Sequence, residues 1–369
     1  MKKMLFSAVL AGAAIFAACS GKSSSGVRMG SLSDFDSLSY AFGVNIASGM
    51  NYQMGDIPFD LKSVAKGVEE AALGKSSLDH DAAIELLQDY FMNKRGERAR
   101  AIAEKRAAAD SARMAQGDST RVEYPRADEA MFESEKERKE LSYAFGNDIG
   151  FNVSQMGMPL QLVWLNKAME EAVGGEPRMN EMEAQQYLQY HFTVKVPAEN
   201  AAASQKWLAE VEKRSGVRKT ETGLLYKVVE EGDMSAKAND PRDEVAVHYV
   251  GRTREGKVFD ASKFENFSKE RQEMVRKSNP GLFDEKGNLK EAEEPVRFAL
   301  NRVIAGWTEG MQLVGKGGKI ILWIPAEMAY GQRGAGRDIG PNEALEFEVE
   351  LIDVTPYAEP EPAAEEVAE

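Results

Sequence analysis

Tyr249, Phe259, Asp260, Trp307, Tyr330 and Phe347 are the side chains of this 369-residue sequence whose types and order suggest chemistry. They stand in five short motifs: Val247-His248-Tyr249-Val250-Gly251, Gly256-Lys257-Val258-Phe259-Asp260, Val303-Ile304-Ala305-Gly306-Trp307-Thr308-Glu309-Gly310, Ala329-Tyr330-Gly331, and Leu345-Glu346-Phe347-Glu348-Val349-Glu350-Leu351. One aromatic tripeptide arises by chance, but five such pieces in this order are a strong signal. Other chemistries find no support. His80, His191 and His248 are scattered, without metal-ligand spacing. Gly315-Lys316-Gly317-Gly318-Lys319 lacks the length and the Ser or Thr of a phosphate-binding loop. The glycine-rich stretch Gly331 to Gly340 opens no helix, so it does not cradle phosphate. No cofactor or metal is expected.

The elements that must position these residues are legible from periodicity. Leu345, Phe347, Val349 and Leu351 alternate with three glutamates, the period of a half-buried antiparallel strand. Val245, Val247 and Tyr249 repeat it, and Lys319 to Ile324 is an apolar run stopped by Pro325. Trp307, Met311 and Val314 share one face of a short helix. Several strands and one helix predict an α+β unit with the helix laid across a curved antiparallel sheet. Such packing leaves a shallow apolar pocket between the two, where small ligands and peptides bind.

These motifs together closely resemble the FKBP-type peptidyl-prolyl cis-trans isomerases, over residues 217–356. The resemblance implies an enzyme that turns X-Pro bonds in unfolded or nascent exported polypeptides. Rotation breaks amide resonance over a barrier of about 18–20 kcal/mol. An apolar, water-poor site disfavours the planar ground state, and a positioned hydrogen bond favours the twisted one. By the same resemblance Trp307 is the pocket floor and Tyr249, Phe259 and Phe347 are walls. Val303 and Ile304 supply the rim and a backbone contact, and Tyr330 offers a hydroxyl to the peptide carbonyl. Ile339 closes the loop side, and Asp260 orients the carbonyl region electrostatically. Phe259, Asp260 and Tyr330 form the catalytic set. Three departures stand out. Val296 occupies a wall position that is often aromatic, Gly340 replaces a usual proline and so predicts a looser loop, and an insertion fills about 263–294. The insertion holds a helix-prone run, Ser268 to Lys277, then two turn signals; it either adds substrate-binding surface, partly occludes the pocket, or is a surface excursion without effect on it. Two other readings remain at this point, a holding chaperone and a peptide-binding module with weak or no isomerase activity.

The first two-thirds of the chain is a duplication. Leu38-Ser39-Tyr40-Ala41-Phe42-Gly43 recurs as Leu141-Ser142-Tyr143-Ala144-Phe145-Gly146, and Lys66 to Gly74 recurs as Lys167 to Gly175. Each copy reads as three helices, the second ending at a glycine suited to a left-handed cap. Asn180 with Glu183 predicts a capping box. The third helices, roughly 81–114 and 181–214, are long and charged. The copies, 34–116 and 134–215, resemble the helical amino-terminal domain of bacterial exported FKBP isomerases, which pairs between two chains. Two copies in one chain imply an intrachain pseudo-dimer or a homodimer.

At the amino terminus Lys2 and Lys3 precede an apolar run, Met4 to Ala17, of about 14 residues, short of the roughly 20 that span a bilayer. Ala17-Ala18 then precede Cys19, the sole cysteine. Residues 1–19 thus resemble a bacterial lipoprotein signal, which implies lipidation of Cys19, with residues 20–33 as a flexible tether. The expected location is the exported side of a bacterial membrane, lipid-anchored at the outer membrane and facing the periplasm. With no second cysteine the fold holds by packing alone. A net charge of −14 argues against a nucleic-acid partner. Residues 357–369 read as a disordered acidic tail.

Overall fold

The computed structural model describes residues 26–359, without the side chain of Glu270. The expected signal, Cys19, the start of the tether and the end of the acidic tail lie outside the described residues. The chain forms two compact units that divide between Val194 and Lys195.

In the first unit, copy one contributes α1 (Ser37–Met54), α2 (Leu61–Ala72), α3 (His80–Asp89) and α4 (Arg95–Ala115). Copy two contributes α5 (Glu135–Gln155), α6 (Leu162–Gly174) and α7 (Glu181–Tyr190). The copies exchange helices: α1 packs against α6 and α7, while α5 packs against α2 and α3. The repeated Leu-Ser-Tyr-Ala-Phe-Gly motif is the chemistry of that exchange. Ser39 Oγ accepts from the Gln161 backbone N–H at 2.7 Å, and Ser142 Oγ from that of Asp60 at 2.9 Å. Each serine thereby fixes the entry of the other copy's second helix. Tyr40 donates to Glu171 and Tyr143 to Glu70, both at 2.5 Å. Burial and the Glu171 carboxylate push the Tyr40 hydroxyl up to about 12, so it stays a donor. Gly43 and Gly146 let the helices cross backbone to backbone. A Cβ on Gly146 would lie 2.8 Å from the Val64 carbonyl carbon, and one on Gly43 2.7 Å from Ala168 Cβ. Phe42, Phe145, Val64, Leu165 and Leu188 share one continuous core.

Gly74 and Gly175 take positive φ at the helix ends as expected, and the Asn180–Glu183 capping box is present. The third helices are interrupted at equivalent places by π turns, Tyr90–Lys94 and His191–Lys195. Two expectations need correction. The tether does not extend to residue 33, because Arg28 pairs with Leu160 and Leu162 through backbone hydrogen bonds of 2.9 and 2.8 Å. Val27 is buried beside them, and Trp164 Nε1 donates to the Asp34 carbonyl at 2.6 Å. Small polar composition between 20 and 33 hid this docking. The other concerns the end of copy two. Helix α8 (Val196–Glu212), expected to finish it, belongs to the second unit, where Trp207, Leu208 and Val211 pack on Leu225 and Trp323.

The second unit is an antiparallel sheet of seven strands. They are β1 (Arg218–Lys219), β2 (Leu225–Glu230), β4 (Glu244–Thr253), β5 (Val258–Ala261), β6 (Val296–Ala299), β8 (Lys319–Ile324) and β9 (Leu345–Thr355). The order is β1-β2-β8-β9-β4-β5, with β6 also on β4. A separate pair joins β3 (Asp233–Lys237) to β7 (Gly315–Lys316). In β9, Leu345, Phe347, Val349 and Leu351 are buried while the glutamates face outward, as their alternation predicts. Helix α10 (Ala305–Gly310) is shorter than its pattern suggested, and a 3-10 turn carries Met311 onward, yet Trp307, Met311 and Val314 are all buried. The helical run in the insertion is α9 (Lys269–Ser278), capped by Ser268.

Candidate functional site

Helix α10 lays Trp307 against the concave face of the sheet, and the strands supply rings around it. Trp307 meets Tyr249 (β4), Phe298 (β6) and Phe347 (β9), each edge-on with centroids 5.2 Å apart. Phe259 (β5) stands edge-on to Phe347 at 5.5 Å. Room for this pair comes from Gly251, where a Cβ would lie 2.7 Å from both rings. The rings enclose an open cavity of about 390 Å³, completed by Asp260, Val296, Arg302, Val303, Ile304 and Tyr330.

The polar groups in this cavity are few. Tyr249 donates its hydroxyl proton to Asp260 Oδ2 at 2.6 Å, and the Ala261 N–H donates to Oδ1 at 3.0 Å. Burial, then the Asp260 carboxylate, raises the Tyr249 hydroxyl well above the usual phenol range, so it remains a donor. Tyr330 is 40% exposed, and its hydroxyl makes no hydrogen bond among the described residues. Burial of the ring and the charge on Asp260 raise its pKa as well, which keeps the proton available for an acceptor brought by a ligand.

Of the residues singled out from sequence, Tyr249, Phe259, Asp260, Val303, Ile304, Trp307, Tyr330 and Phe347 converge on this cavity. Ile339 does not line it; its side chain is buried in the core beneath the loop, and its backbone bridges to Ala335. The aromatic residue that Val296 seemed to lack is Phe298, two residues on. Strand periodicity places 296 and 298 on one face and could have found it. Nor is the loop loose at Gly340. Its N–H, which a proline would lack, donates to Glu343 Oε2 at 2.7 Å. That carboxylate is sealed from solvent beside Arg254, 3.5 Å away. Burial raises its pKa to about 7. Ser204 bonds to both Asn342 and Ala344, which holds the same loop on α8.

The insertion lies beside the cavity without filling it, since none of its side chains is in the lining. It builds a small core of its own, with Phe264 and Phe283 5.1 Å apart under Arg276. Arg271 reaches out of it to donate to the Phe259 carbonyl at 2.6 Å, next to Asp260.

An aromatic cavity between a short helix and a curved sheet defines a prolyl-peptide isomerase fold, and comparison with known proteins agrees. A family model described as FKBP-type peptidyl-prolyl cis-trans isomerase matches residues 235–352. One for the domain amino terminal to FKBP-type peptidyl-prolyl isomerase matches twice, at 35–120 and 138–228. A relative named probable FKBP-type peptidyl-prolyl cis-trans isomerase FkpA, from Neisseria meningitidis serogroup B, is 34% identical over 58% of this chain and 74% of its own. The FKBP-type peptidyl-prolyl cis-trans isomerase FkpA of Aeromonas hydrophila is 30% identical over 68% of this chain and 86% of its own. The crystal structure of FkpA from Escherichia coli is 34% identical, covering 51% of this chain and 78% of that one, with a TM-score of 0.34. The chain belongs to the FKBP-type peptidyl-prolyl cis-trans isomerases, and within them to the exported kind typified by FkpA and Mip. It is an isomerase that acts on proline-containing polypeptides.

Proposed function

We propose that isomerisation takes place over Trp307, with the prolyl ring seated among Tyr249, Phe298 and Phe347. The reading is carried by one observation: an aromatic cavity whose polar points are few and differ in state. The Asp260 carboxylate is held by two donors, whereas the Tyr330 phenol has no partner among the described residues. Tyr330 donates to a carbonyl of the bound peptide. The Ile304 backbone at the start of α10 supplies the rim contact, and the fixed charge of Asp260 acts on the amide as its resonance, and hence its dipole, collapses. Excluding water from the rings weakens the solvation that favours the planar, charge-separated form. Catalysis is then differential binding of the twisted amide, without a covalent step. The test is prolyl-peptide isomerisation by the full chain beside Tyr330→Phe and Asp260→Ala.

Two further parts of the proposal concern assembly and place. The interlaced copies satisfy within one chain the pairing that relatives with one copy would make between chains, which favours a monomer with one catalytic unit. Lipid on Cys19 would anchor it at the outer membrane, facing the periplasm. The motif Ala17-Ala18-Cys19 supports this.

A further inference from the structure

Two charged side chains line the cavity, and among the described residues only one of them has hydrogen-bond partners within the protein. Asp260 has both oxygens bonded, to the Tyr249 hydroxyl and the Ala261 N–H. Arg302 ends the turn Leu300–Arg302 that delivers Val303 and Ile304 to the rim, and its side chain is exposed. It has no hydrogen bond or ion pair among the described residues. Among the described residues the side chains of Arg218, Arg333 and Arg337 of this unit likewise have no such partner, while four other arginines are engaged by carboxylates. Arg242 pairs with Asp240, Arg252 with Glu348, Arg254 with Glu343 and Arg297 with Glu244. Arg271, the other cation beside the cavity, is bound to the Phe259 carbonyl. Of these four unpaired arginines, Arg302 is the one that lines the cavity, so its guanidinium stands where a bound peptide would pass.

We propose that Arg302 determines substrate preference, selecting prolyl peptides that carry a carboxylate side chain next to the proline. The inference rests on the cavity being the isomerisation site proposed above, and gives it a substrate class. A substrate backbone running along Val303 and Ile304 passes the base of Arg302, whose planar fork matches a carboxylate in two parallel hydrogen bonds. The protein's net charge of −14 opposes the approach of acidic peptides at long range. The preference is therefore a short-range one, and raising the salt removes the opposing repulsion before it removes the contact.

The experiment uses the full chain and peptides Ala-Xaa-Pro-Phe with Xaa Glu, Gln or Lys, together with Ala-Ala-Pro-Glu and Ala-Ala-Pro-Gln. kcat/KM is measured for the wild type, Arg302→Gln and Arg302→Glu, and each protein is read as its own ratio between peptides. The expected wild-type ratio of Glu to Gln, in at least one of the two positions, is roughly two- to fivefold, the size of a partly exposed ion pair. It falls to about one in Arg302→Gln, and in Arg302→Glu the preference moves to Lys. Ratios that are the same in all three proteins overturn the proposal. If the wild type turns over none of the peptides, the proposed activity has failed on its own account. Equilibrium binding of the same peptides, read by tryptophan fluorescence, then decides the role of Arg302 by the same ratios.

Discussion

Replacing Gly146 with alanine tests whether the helix exchange is held by backbone contact. In an open helix this change stabilises by roughly 0.5–1 kcal/mol, because glycine gives up more chain freedom on folding. At Gly146 the added methyl would sit 2.8 Å from the Val64 carbonyl carbon and 3.0 Å from its Cα. These are backbone atoms of α2 and cannot rotate away, so α5 and α2 must separate. Overpacking of this kind costs about 1–3 kcal/mol, and here the shift also pulls on the Ser142–Asp60 and Tyr143–Glu70 bonds of the same crossing. Gly96 is the control: it lies in α4 with nothing within 4 Å of an added Cβ. Urea unfolding followed by helical circular dichroism should show Gly96→Ala slightly more stable than wild type. Gly146→Ala should be about 1–2 kcal/mol less stable once the propensity gain is subtracted. A Gly146→Ala protein at least as stable as Gly96→Ala would refute the close crossing and the exchange built on it.

At the proposed catalytic site, Tyr330→Phe and Asp260→Ala should each lower kcat/KM, by less than the roughly hundredfold typical of a lone positioned polar group, because desolvation shares the effect; unchanged rates in both would remove these residues from the mechanism. Arg271→Ala should lower kcat/KM modestly by loosening the strand that carries Phe259 and Asp260, and activity equal to wild type would make the insertion a bystander. Glu343 ties stability to pH. Its folded pKa is raised to about 7, so its contribution is complete below the unfolded value of 4.5 and is lost as pH climbs through 7. Thermal melts should therefore show wild type losing up to about 3 kcal/mol relative to Glu343→Gln between pH 4.5 and 7.5, and parallel pH curves would contradict this. Cys19→Ser should leave the membrane fraction, since stable anchoring depends on acyl chains; retention there would point to another anchor. Light scattering of the form lacking residues 1–19 should give a monomer, and removal of residues 34–116 should cause association by exposing the apolar faces of α5 and α6; a stable dimer of the former would sink the pseudo-dimer.

What could be read in advance was what repeats or alternates. Period two exposed β4 and β9, a face of Trp307, Met311 and Val314 exposed the helix, and two copies of one hexapeptide exposed the duplication. The pocket residues were legible because their types are scarce and their order distinctive. The unread parts depend on partners far away in sequence. Phe298 became a wall only because β6 pairs with β4, which brings it against Trp307. Gly340 read as a gap in the loop until Glu343 was seen to accept its N–H. Residues 26–33 read as tether because serine and glycine carry no periodicity, while what docks them is backbone pairing with Leu160 and Leu162. The division of the third helix of copy two was hidden because a helix reports which face is apolar, but not against which body that face will rest.

The exchange of helices also sets the order in which this chain can fold. Ser39 waits for a partner 122 residues ahead, and Tyr40 for one 131 residues ahead. A chain delivered amino terminus first presents α1 and α2 with their apolar faces bare until α5 and α6 have followed. Assembly of the helical unit is thus governed by long-range closure, the slow class of folding step. The main core of the second unit lies between Leu224 and Leu351, and its closures are just as long, since Ser204 meets Asn342 138 residues ahead and Ala344 140 ahead. Delivered amino terminus first, the helical unit has all its core residues once Phe192 has followed, whereas the second unit must wait for Leu351, so the unit with interlaced copies is the first able to close.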